Sequence, residues 1–320
     1  MAGCYGRPDI GISILRLDLL THRCIGNKHF KLKNNLQQLK VSGARRVLSF
    51  GGAWSNHLLA FAQTTHSVGV KSVGVVRGEE GFDNPMLQCM RSHGMHLHFV
   101  SRAQYKLRHD ATYCATLCRE LDCDSWLPEG GSNELAVQGC EAIAGIIDED
   151  RNRYTRVVAA VGTGATLAGI IRGRPAVQTV TGIPVVSDSR VYGNIQRWVN
   201  HDQPVEPVQQ RLGPLKSVPN WSLFNRVKPS PYAKPSHSLL KFILDFFKAT
   251  DIVLDPVYTG PALAALLSAD FLATTSRNER IVFVHTGGLA GAQGFSAQFE
   301  QCADQALVTE YFNAINELIQ

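Results

Sequence analysis

The chain has 320 residues, of which 44% are apolar and 18% charged, and its formal net charge at neutral pH is +5. A chain of this length and composition can bury a large core in one or two domains, which excludes an intrinsically disordered protein. Its basic residues are scattered rather than interleaved with aromatic ones, so we predict no nucleic-acid partner. No run approaches the roughly 20 apolar residues of a membrane span, and we expect a soluble, cytoplasmic protein.

Short apolar runs alternate with helical segments along most of the chain. Strands are predicted at 45–50, 70–76, 95–100, 156–161, 183–186, 251–254 and 280–285. Helices are predicted after Ser55, around 86–93 and directly after Gly164. Near-continuous apolar strands that alternate with helices indicate parallel sheets covered on both faces. Seven prolines between residues 200 and 237 interrupt this pattern and predict an irregular surface excursion.

Cysteines and histidines cluster twice without the spacing of a metal site. Cys114, Cys118 and Cys123 are not arranged as paired C-x-x-C motifs, and the alternating segment MHLHFV places His96 and His98 on one face of a strand. We interpret the cysteines as reduced residues that pack helices, and the histidines as strand residues. A metal site is the alternative for both clusters, and a disulfide for the cysteines. We predict no bound metal.

A glycine-rich segment at 162–166 (GTGAT) joins a predicted strand directly to a helix. Glycines let the backbone approach a ligand closely, and the free N–H groups and dipole of a helix N-terminus favour an anion. We predict a phosphate site here, with Thr163 and Thr166 as hydroxyl donors. The alternative is an ordinary strand–helix turn. The segment is neither a Walker A loop nor the dinucleotide-binding fingerprint.

Three further polar turns follow predicted strands. They are 51–57 (GGAWSNH), 255–260 (DPVYTG) and 285–288 (HTGG). Ligands of parallel α/β sheets bind outside the carboxyl ends of the strands, so these turns and the segment 162–166 are predicted to meet in one cleft. Any one of them alone is more typical of an ordinary loop.

Lys28 lies at the start of a predicted helix, where a positive charge is unfavourable for the helix dipole. An electrostatically unfavourable position can indicate a functional role. A lysine that is desolvated or close to other cations loses its proton easily and can form a Schiff base. By its spacing alone, however, Lys28 is more typical of a solvent-exposed lysine.

Six segments resemble, in the same order, the 1-aminocyclopropane-1-carboxylate deaminase and D-cysteine desulfhydrase family. They are 26–33 (GNKHFKLK), 51–57 (GGAWSNH), 128–133 (PEGGSN), 162–166 (GTGAT), 254–260 (LDPVYTG) and 285–288 (HTGG). The resemblance extends over roughly residues 12–295, apart from much of 172–228.

The resemblance implies an α/β fold of the tryptophan-synthase-β type, with two three-layer α/β/α domains and a cofactor cleft between them. Residues 42–135 would form a small inserted domain, and residues 1–41 and 136–320 the large cofactor-binding domain. The family resemblance also implies a homodimer.

For individual residues, the resemblance implies roles in binding pyridoxal 5'-phosphate and a small amino-acid substrate. Lys28 would form a Schiff base with the cofactor, Asn56 would bind its ring hydroxyl, and Thr259 would approach its ring nitrogen. The phosphate would be bound by Gly162, Thr163, Gly164, Ala165 and Thr166. The residues facing the substrate would be Ser55, Asn56, His57, Tyr258 and Thr286. The catalytic residues would be Lys28, Ser55 and Tyr258.

The resemblance predicts a pyridoxal-phosphate-dependent lyase or deaminase that converts a small amino acid to a keto acid and ammonia. Thr259 and Thr286 match the D-cysteine desulfhydrase pattern, whereas cyclopropane deaminases typically carry Glu and Leu at these positions. We therefore expect D-cysteine, which gives pyruvate, sulfide and ammonia, rather than 1-aminocyclopropane-1-carboxylate. Pro261, where the family often has a lysine, and the short chain before Lys28 support the alternative of a catalytically silent cofactor-binding or regulatory relative. An unrelated nucleotide-binding α/β protein is the third alternative.

Overall fold

The computed structural model describes residues 7–20, 26–149, 154–174, 178–200, 220–225 and 233–319. Over these ranges the chain forms nine β-strands. They are β1 (Gly11–Arg16), β2 (Arg46–Gly52), β3 (Lys71–Arg77), β4 (His96–Val100), β5 (Ser125–Leu127), β6 (Arg156–Val161), β7 (Thr179–Pro184), β8 (Trp221–Leu223) and β9 (Arg280–His285).

Fourteen α-helices lie between these strands in the same described ranges. They are α1 (Leu17–Leu20), α2 (Asn27–Val41), α3 (Asn56–Ser67), α4 (Pro85–Ser92), α5 (Arg102–Lys106), α6 (Ala111–Glu120), α7 (Glu134–Glu149), α8 (Ala165–Gly173), α9 (Val191–Asn200), α10 (His237–Thr250), α11 (Thr259–Leu266), α12 (Ala269–Leu272), α13 (Ser296–Phe299) and α14 (Gln305–Ile319). The described residues also form two 3-10 turns, Glu129–Gly131 and Ala290–Phe295. As the sequence predicted, Ser55 caps α3 by accepting a hydrogen bond from Leu58 N.

The strands form two sheets, and every strand pair in them is parallel. One sheet has the order β1-β9-β6-β7-β8 and the other the order β4-β3-β2-β5. The four-stranded sheet falls within the segment predicted as an inserted domain, and the strands of the larger sheet come from both sides of it. The predicted parallel α/β class is therefore confirmed, while the domain boundaries and the homodimer stay predictions.

Alternate residues of the central strands pack into different cores, which explains their near-continuous apolar sequences. In β6, Val158 belongs to a buried cluster with α10, α11 and α14. Its neighbour Val157 belongs to a cluster on the opposite face with α7, α8 and α9. Helices therefore cover both faces of this sheet. Polar side chains that bind a ligand are expected at the ends of its strands.

Two of the strand predictions need correction. The residues 251–254 (DIVL) form no strand. The Val253 carbonyl oxygen accepts a hydrogen bond from His285 Nε2 at 2.7 Å, and the Leu254 oxygen accepts one from the Tyr311 hydroxyl at 2.6 Å. Side chains therefore satisfy carbonyls that a neighbouring strand would otherwise bind. The strand predicted at 183–186 is β7, which begins earlier, at Thr179.

The proline-rich excursion predicted for 200–237 lies largely outside the described residues, which include only 200, 220–225 and 233–237 of it. In the described parts of the chain, no helix combines the length and the hydropathy needed to cross a bilayer.

Candidate active site

The helix that carries Lys28 begins against the turn that follows β9. Gly26 precedes the helix with φ of 52°, and a Cβ on it would overlap the Thr286 carbonyl oxygen, so only glycine fits. Asn27 N donates to this same oxygen at 2.9 Å. Lys28 Nζ donates to Asn27 Oδ1 at 3.0 Å. Desolvation by the surrounding protein lowers the pKa of Lys28 to about 8, although Cys140 and Asp255 raise it. The half-buried lysine is therefore unlike a surface lysine.

Lys31 lies one helical turn after Lys28 and is only 2% exposed. Its Nζ donates to Ser132 Oγ at 2.6 Å and to Thr163 Oγ1 at 3.3 Å. No carboxylate of the described residues forms an ion pair with it. Desolvation, with a further contribution from the charge of Lys28, lowers the pKa of Lys31 to about 7. A buried ammonium group needs a counter-charge, and an anion bound beside the hydroxyl groups would supply it.

The predicted phosphate segment lies against Lys31 and forms one wall of a polar cradle. Gly164 has φ of 95° and no side chain caps α8, so the first N–H groups of this helix are available to an anion. Thr163 Oγ1 lies 2.5 Å from Ser132 Oγ. Thr166 Oγ1 accepts from Asn27 Nδ2 at 2.9 Å and so keeps its own hydrogen for another acceptor.

The opposite wall of the cradle is the turn Glu129–Gly131, in which Gly130 and Gly131 have φ of 69° and 62°. A Cβ on Gly130 would lie 3.2 Å from Thr163 Cγ2 and 3.7 Å from Lys31 Nζ. Glycine therefore brings the backbone close to the anion-binding groups. Sequence reasoning missed Lys31, Ser132 and Asn27 as site residues. The spacing of three between Lys28 and Lys31, which places them on one helix face, was the available signal.

The three predicted residues at the start of α3 make different contacts, and His57 lies against the cradle turn, where a Cβ on Gly131 would lie 3.0 Å from His57 Cε1. Ser55 Oγ accepts from Leu58 N at 3.2 Å, and Asn56 Oδ1 accepts from Gly291 N at 2.9 Å. His57 is 4% exposed, and its Nε2 bonds Ser49 Oγ at 2.7 Å.

The ring of His57 is held in one tautomer. Ser49 Oγ donates to the Leu127 carbonyl oxygen at 3.0 Å, so it accepts from His57 Nε2, and Nδ1 is left as an acceptor. Desolvation, together with the charges of Lys31 and Lys28, holds the pKa of His57 well below its usual range. His57 is therefore neutral, and its predicted contact with substrate stays a prediction.

Tyr258 and Thr259 begin α11 beside the phosphate segment. The Tyr258 ring packs on Gly162, where a Cβ would lie 3.0 Å from Tyr258 Cε1. Thr259 is fully buried, and its hydroxyl donates to Asp255 Oδ1 at 2.7 Å and accepts from Asp255 N at 2.8 Å. The hydroxyl hydrogen is therefore engaged with Asp255, and Thr259 can offer a ligand only a lone pair. Its role at the ring nitrogen stays a prediction.

The turn after β9 completes the assembly. Thr286 is 5% exposed and binds the start of α2 through its carbonyl oxygen. Gly288 has φ of 77°, and a Cβ on it would lie 3.3 Å from Asn56 Nδ2. The four polar turns predicted to share a cleft therefore contact one another or the α2 segment.

A model of the family described as "Pyridoxal-phosphate dependent enzyme" matches residues 8–287 of this chain. The chain belongs to the pyridoxal-phosphate-dependent enzyme family. It is 26% identical over 301 residues to the mitochondrial bifunctional D-cysteine desulfhydrase/1-aminocyclopropane-1-carboxylate deaminase of Arabidopsis thaliana, with 87% of this chain and 72% of the relative covered. It is 26% identical over 292 residues to the D-cysteine desulfhydrase of Serratia proteamaculans, with 87% and 86% covered.

Solved structures support the same fold for this pyridoxal-phosphate-dependent enzyme. An ACC deaminase homologue superimposes with a TM-score of 0.75 at 23% identity, covering 94% of this chain and 91% of that chain. Threonine deaminase isoform 2 of Solanum lycopersicum superimposes with a TM-score of 0.61 at 12% identity, covering 97% and 80%. At these identities the likeness concerns the fold alone.

The residues present fit the cofactor of the family. The uncapped start of α8, the Lys31 ammonium and the hydroxyls of Ser132 and Thr163 provide charge and donors for a phosphate dianion. Lys28, one helical turn away, provides an amine with a lowered pKa for an aldehyde.

Proposed function

We propose that this protein is a pyridoxal-phosphate-dependent lyase or deaminase that converts a small amino acid into a keto acid and ammonia. The observation that carries the proposal is the placement of the half-buried Lys28 and the buried Lys31 on one face of α2, with Lys31 in contact with Thr163 of the phosphate segment. One lysine suits the phosphate and the other suits the aldehyde of the same molecule. The names of the relatives support a reaction of this class.

The phosphate end of the cofactor would be bound mainly by Lys31. Its ammonium lies among hydroxyl groups, where the charge is poorly stabilised until an anion binds. A dianion beside it raises the pKa of Lys31 and keeps the lysine charged. The N–H groups of Gly164, Ala165 and Thr166 at the start of α8 would bind the remaining phosphate oxygens.

Lys28 would act as both the attachment point and the base. With a pKa of about 8, roughly a tenth of Lys28 is an uncharged amine at pH 7, far more than for an ordinary lysine. Once the substrate amine has replaced it, Lys28 Nζ can take the substrate α-proton. The bound cofactor supplies an acceptor for the electron pair that this proton leaves behind.

Ser55 and Tyr258 are the proposed substrate-side groups. Tyr258 lies with its ring on Gly162, between the phosphate segment and the start of α11. Ser55 lies at the start of α3 beside Asn56, whose amide is held by Gly291 N. Each hydroxyl can donate a proton to a leaving group or orient the substrate.

D-cysteine is the substrate we favour over 1-aminocyclopropane-1-carboxylate. Thr259 has a neutral hydroxyl where cyclopropane deaminases typically have a glutamate. Without that carboxylate near its ring nitrogen, the cofactor would be a weaker acceptor of electrons. Loss of a thiolate tolerates a weaker acceptor better than opening of a carbon ring does. Thr286 matches the same pattern in sequence.

The test combines attachment and turnover. The protein is incubated with pyridoxal phosphate, reduced with borohydride and mapped by peptide mass spectrometry, and keto acids are assayed from D-cysteine, L-cysteine, D-serine and the cyclopropane amino acid. We expect an adduct on Lys28, none in Lys28→Ala, and fastest pyruvate formation from D-cysteine. An adduct elsewhere, or none, would contradict the proposal. An adduct on Lys28 without any keto acid would favour the silent relative, which Pro261 in α11 supports.

A further inference from the structure

A buried histidine at the carboxyl end of β9 contacts two other segments of the chain. His285 Nε2 lies 2.7 Å from the Val253 carbonyl oxygen, and Nδ1 lies 2.9 Å from Asp18 Oδ1. A carbonyl oxygen only accepts, so Nε2 carries the hydrogen of the bond to Val253. Gly287 N also lies 3.3 Å from Nδ1, so the same ring contacts the turn that follows β9.

Asp18 is the carboxylate that faces this ring. Its carboxylate accepts from Arg16 Nε at 2.9 Å as well as facing His285, and the side chains of Asp18 and His285 are fully buried. Burial alone would raise the pKa of Asp18, but the hydrogen bonds from His285 and Arg16 outweigh it and hold the pKa well below its usual range. Asp18 is thus an anion, which confirms that it accepts rather than donates.

His285 joins the segments that carry the proposed catalytic residues. Asp18 lies in α1, ten residues before Lys28 in the sequence. Val253 lies just before the Asp255–Thr259 segment, and His285 itself continues into Thr286, which binds Asn27 N. One buried ring therefore connects the segments of Lys28 and Tyr258.

We propose that His285, bound between Asp18 and the Val253 carbonyl oxygen, is a positioning residue that sets Lys28 against the Tyr258 segment. The inference rests on the proposed function for the role of Lys28. A buried cluster of charged and polar groups commonly adds little to stability compared with apolar packing, so this arrangement is better explained by the geometry that it imposes.

Two substitutions each remove one of the two links. His285→Gln places its amide N–H near the position of Nε2 and keeps the bond to Val253, but it loses Asp18. His285→Asn places its amide N–H near the position of Nδ1 and keeps Asp18, but it loses Val253. Glu279→Gln is the matched control. Glu279 forms an ion pair with Arg156 and directly precedes β9, at the end of the strand opposite His285.

The readout is attachment of pyridoxal phosphate to Lys28, trapped by borohydride and quantified by mass spectrometry over a pH series. The titratable groups that act on Lys28 are Lys31, Cys140 and Asp255, and none of them is changed. We expect both His285 variants to lower cofactor affinity by about tenfold or more. We also expect the pH midpoint of attachment to rise from about 8 toward the value of an exposed lysine, because Lys28 is no longer held in its desolvated position.

A purely structural role would lower the unfolding midpoint of the variants but leave the affinity and the pH midpoint at the values of Glu279→Gln, and that result would overturn the inference. Nitrogen-15 NMR of the wild-type protein tests the bond to Val253 directly and needs no variant. A hydrogen on Nε2 of His285 is expected, and an Nε2 without hydrogen would refute the proposal. Failure of the wild type to attach the cofactor to Lys28 would instead contradict the proposed function.

Discussion

Lys31 owes its chemistry to burial rather than to its residue type. On the surface it would stay charged up to a pH of about 10.4, whereas among Ser132 and Thr163 its pKa falls to about 7. Above that pH, Lys31 without a bound anion is a neutral amine. A phosphate dianion restores the charge, so binding of the anion and uptake of a proton are linked.

We predict that this linkage can be measured with deoxypyridoxine phosphate, which lacks the aldehyde and cannot react with Lys28. At pH 8, calorimetry in buffers of different ionisation enthalpy should report an uptake approaching one proton for the wild type. Lys31→Met should abolish most of this uptake and weaken binding by about tenfold to a hundredfold, the loss expected for a charged hydrogen bond. Equal proton uptake by the two proteins would exclude Lys31 as the phosphate-binding lysine.

Thr259 shows how a single hydroxyl can be tied to the backbone. It exchanges hydrogen bonds with the carboxylate and the N–H of Asp255 while fully buried. Thr259→Val keeps the shape but leaves both groups of Asp255 without this partner. We predict a loss of about 1–3 kcal/mol in the free energy of unfolding, measured with urea. Thr259→Ser keeps the hydroxyl and should lose less; if both variants lose equally, the methyl group rather than the hydroxyl is responsible.

At the scale of elements, the helix that carries both lysines depends on close packing with α7. A Cβ on Gly139 would overlap the Phe30 carbonyl oxygen in α2, so glycine alone allows this approach. Gly145 lies in the same helix, but no atom lies within 4 Å of the position that its Cβ would take. The two glycines are therefore a matched pair, one at the contact and one away from it.

We predict opposite effects for the two alanine substitutions. Gly139→Ala must push α7 away from α2 and should lower the free energy of unfolding by about 1–3 kcal/mol. It should also weaken cofactor binding, because Lys28 and Lys31 move with α2. Gly145→Ala only gains helix propensity and should stabilise by about 0.5–1 kcal/mol with unchanged cofactor affinity. Thermal unfolding with and without cofactor would distinguish these outcomes, and equal effects would contradict them.

At the scale of the whole molecule, the two lysines make stability depend on pH. Their pKa values in the folded protein are about 8 and about 7, below the ordinary value of 10.5. Between about pH 7 and 10.5 the unfolded chain therefore binds more protons than the folded chain. Stability contributed by these groups rises with pH across this window, by up to about 1.4 kcal/mol per unit and group.

This dependence predicts a difference between wild type and Lys31→Met in the cofactor-free state. From pH 7 to pH 9, the free energy of unfolding should increase more for the wild type than for the variant, by about 1–2 kcal/mol. The comparison removes the contribution of the other titrating groups, which both proteins share. An equal change in the two proteins would show that Lys31 titrates as an ordinary surface lysine.

Patterns within a few residues predicted the fold class and where several segments of the candidate site lie in the fold. The apolar runs of β6 and β9, the cap at Ser55 and the glycines of 162–166 each reflect local backbone geometry, and each lies where it was predicted. The sequence analysis missed β1, β5 and β8, and of these β5 and β8 have only three residues each, too few to show a period.

Local sequence accounts for parallel strands that end in polar, glycine-rich turns, because strand and turn preferences act between neighbours along the chain. Which side chains are desolvated together depends instead on the packing of distant segments. Lys31 donates to Ser132, which lies 101 residues away in the sequence. His285 binds the carbonyl oxygen of Val253 in the apolar segment 251–254, which the sequence had predicted as a strand. Burial and pairing depend on distance in space, and that distance is set only when the two sheets and their helices have packed.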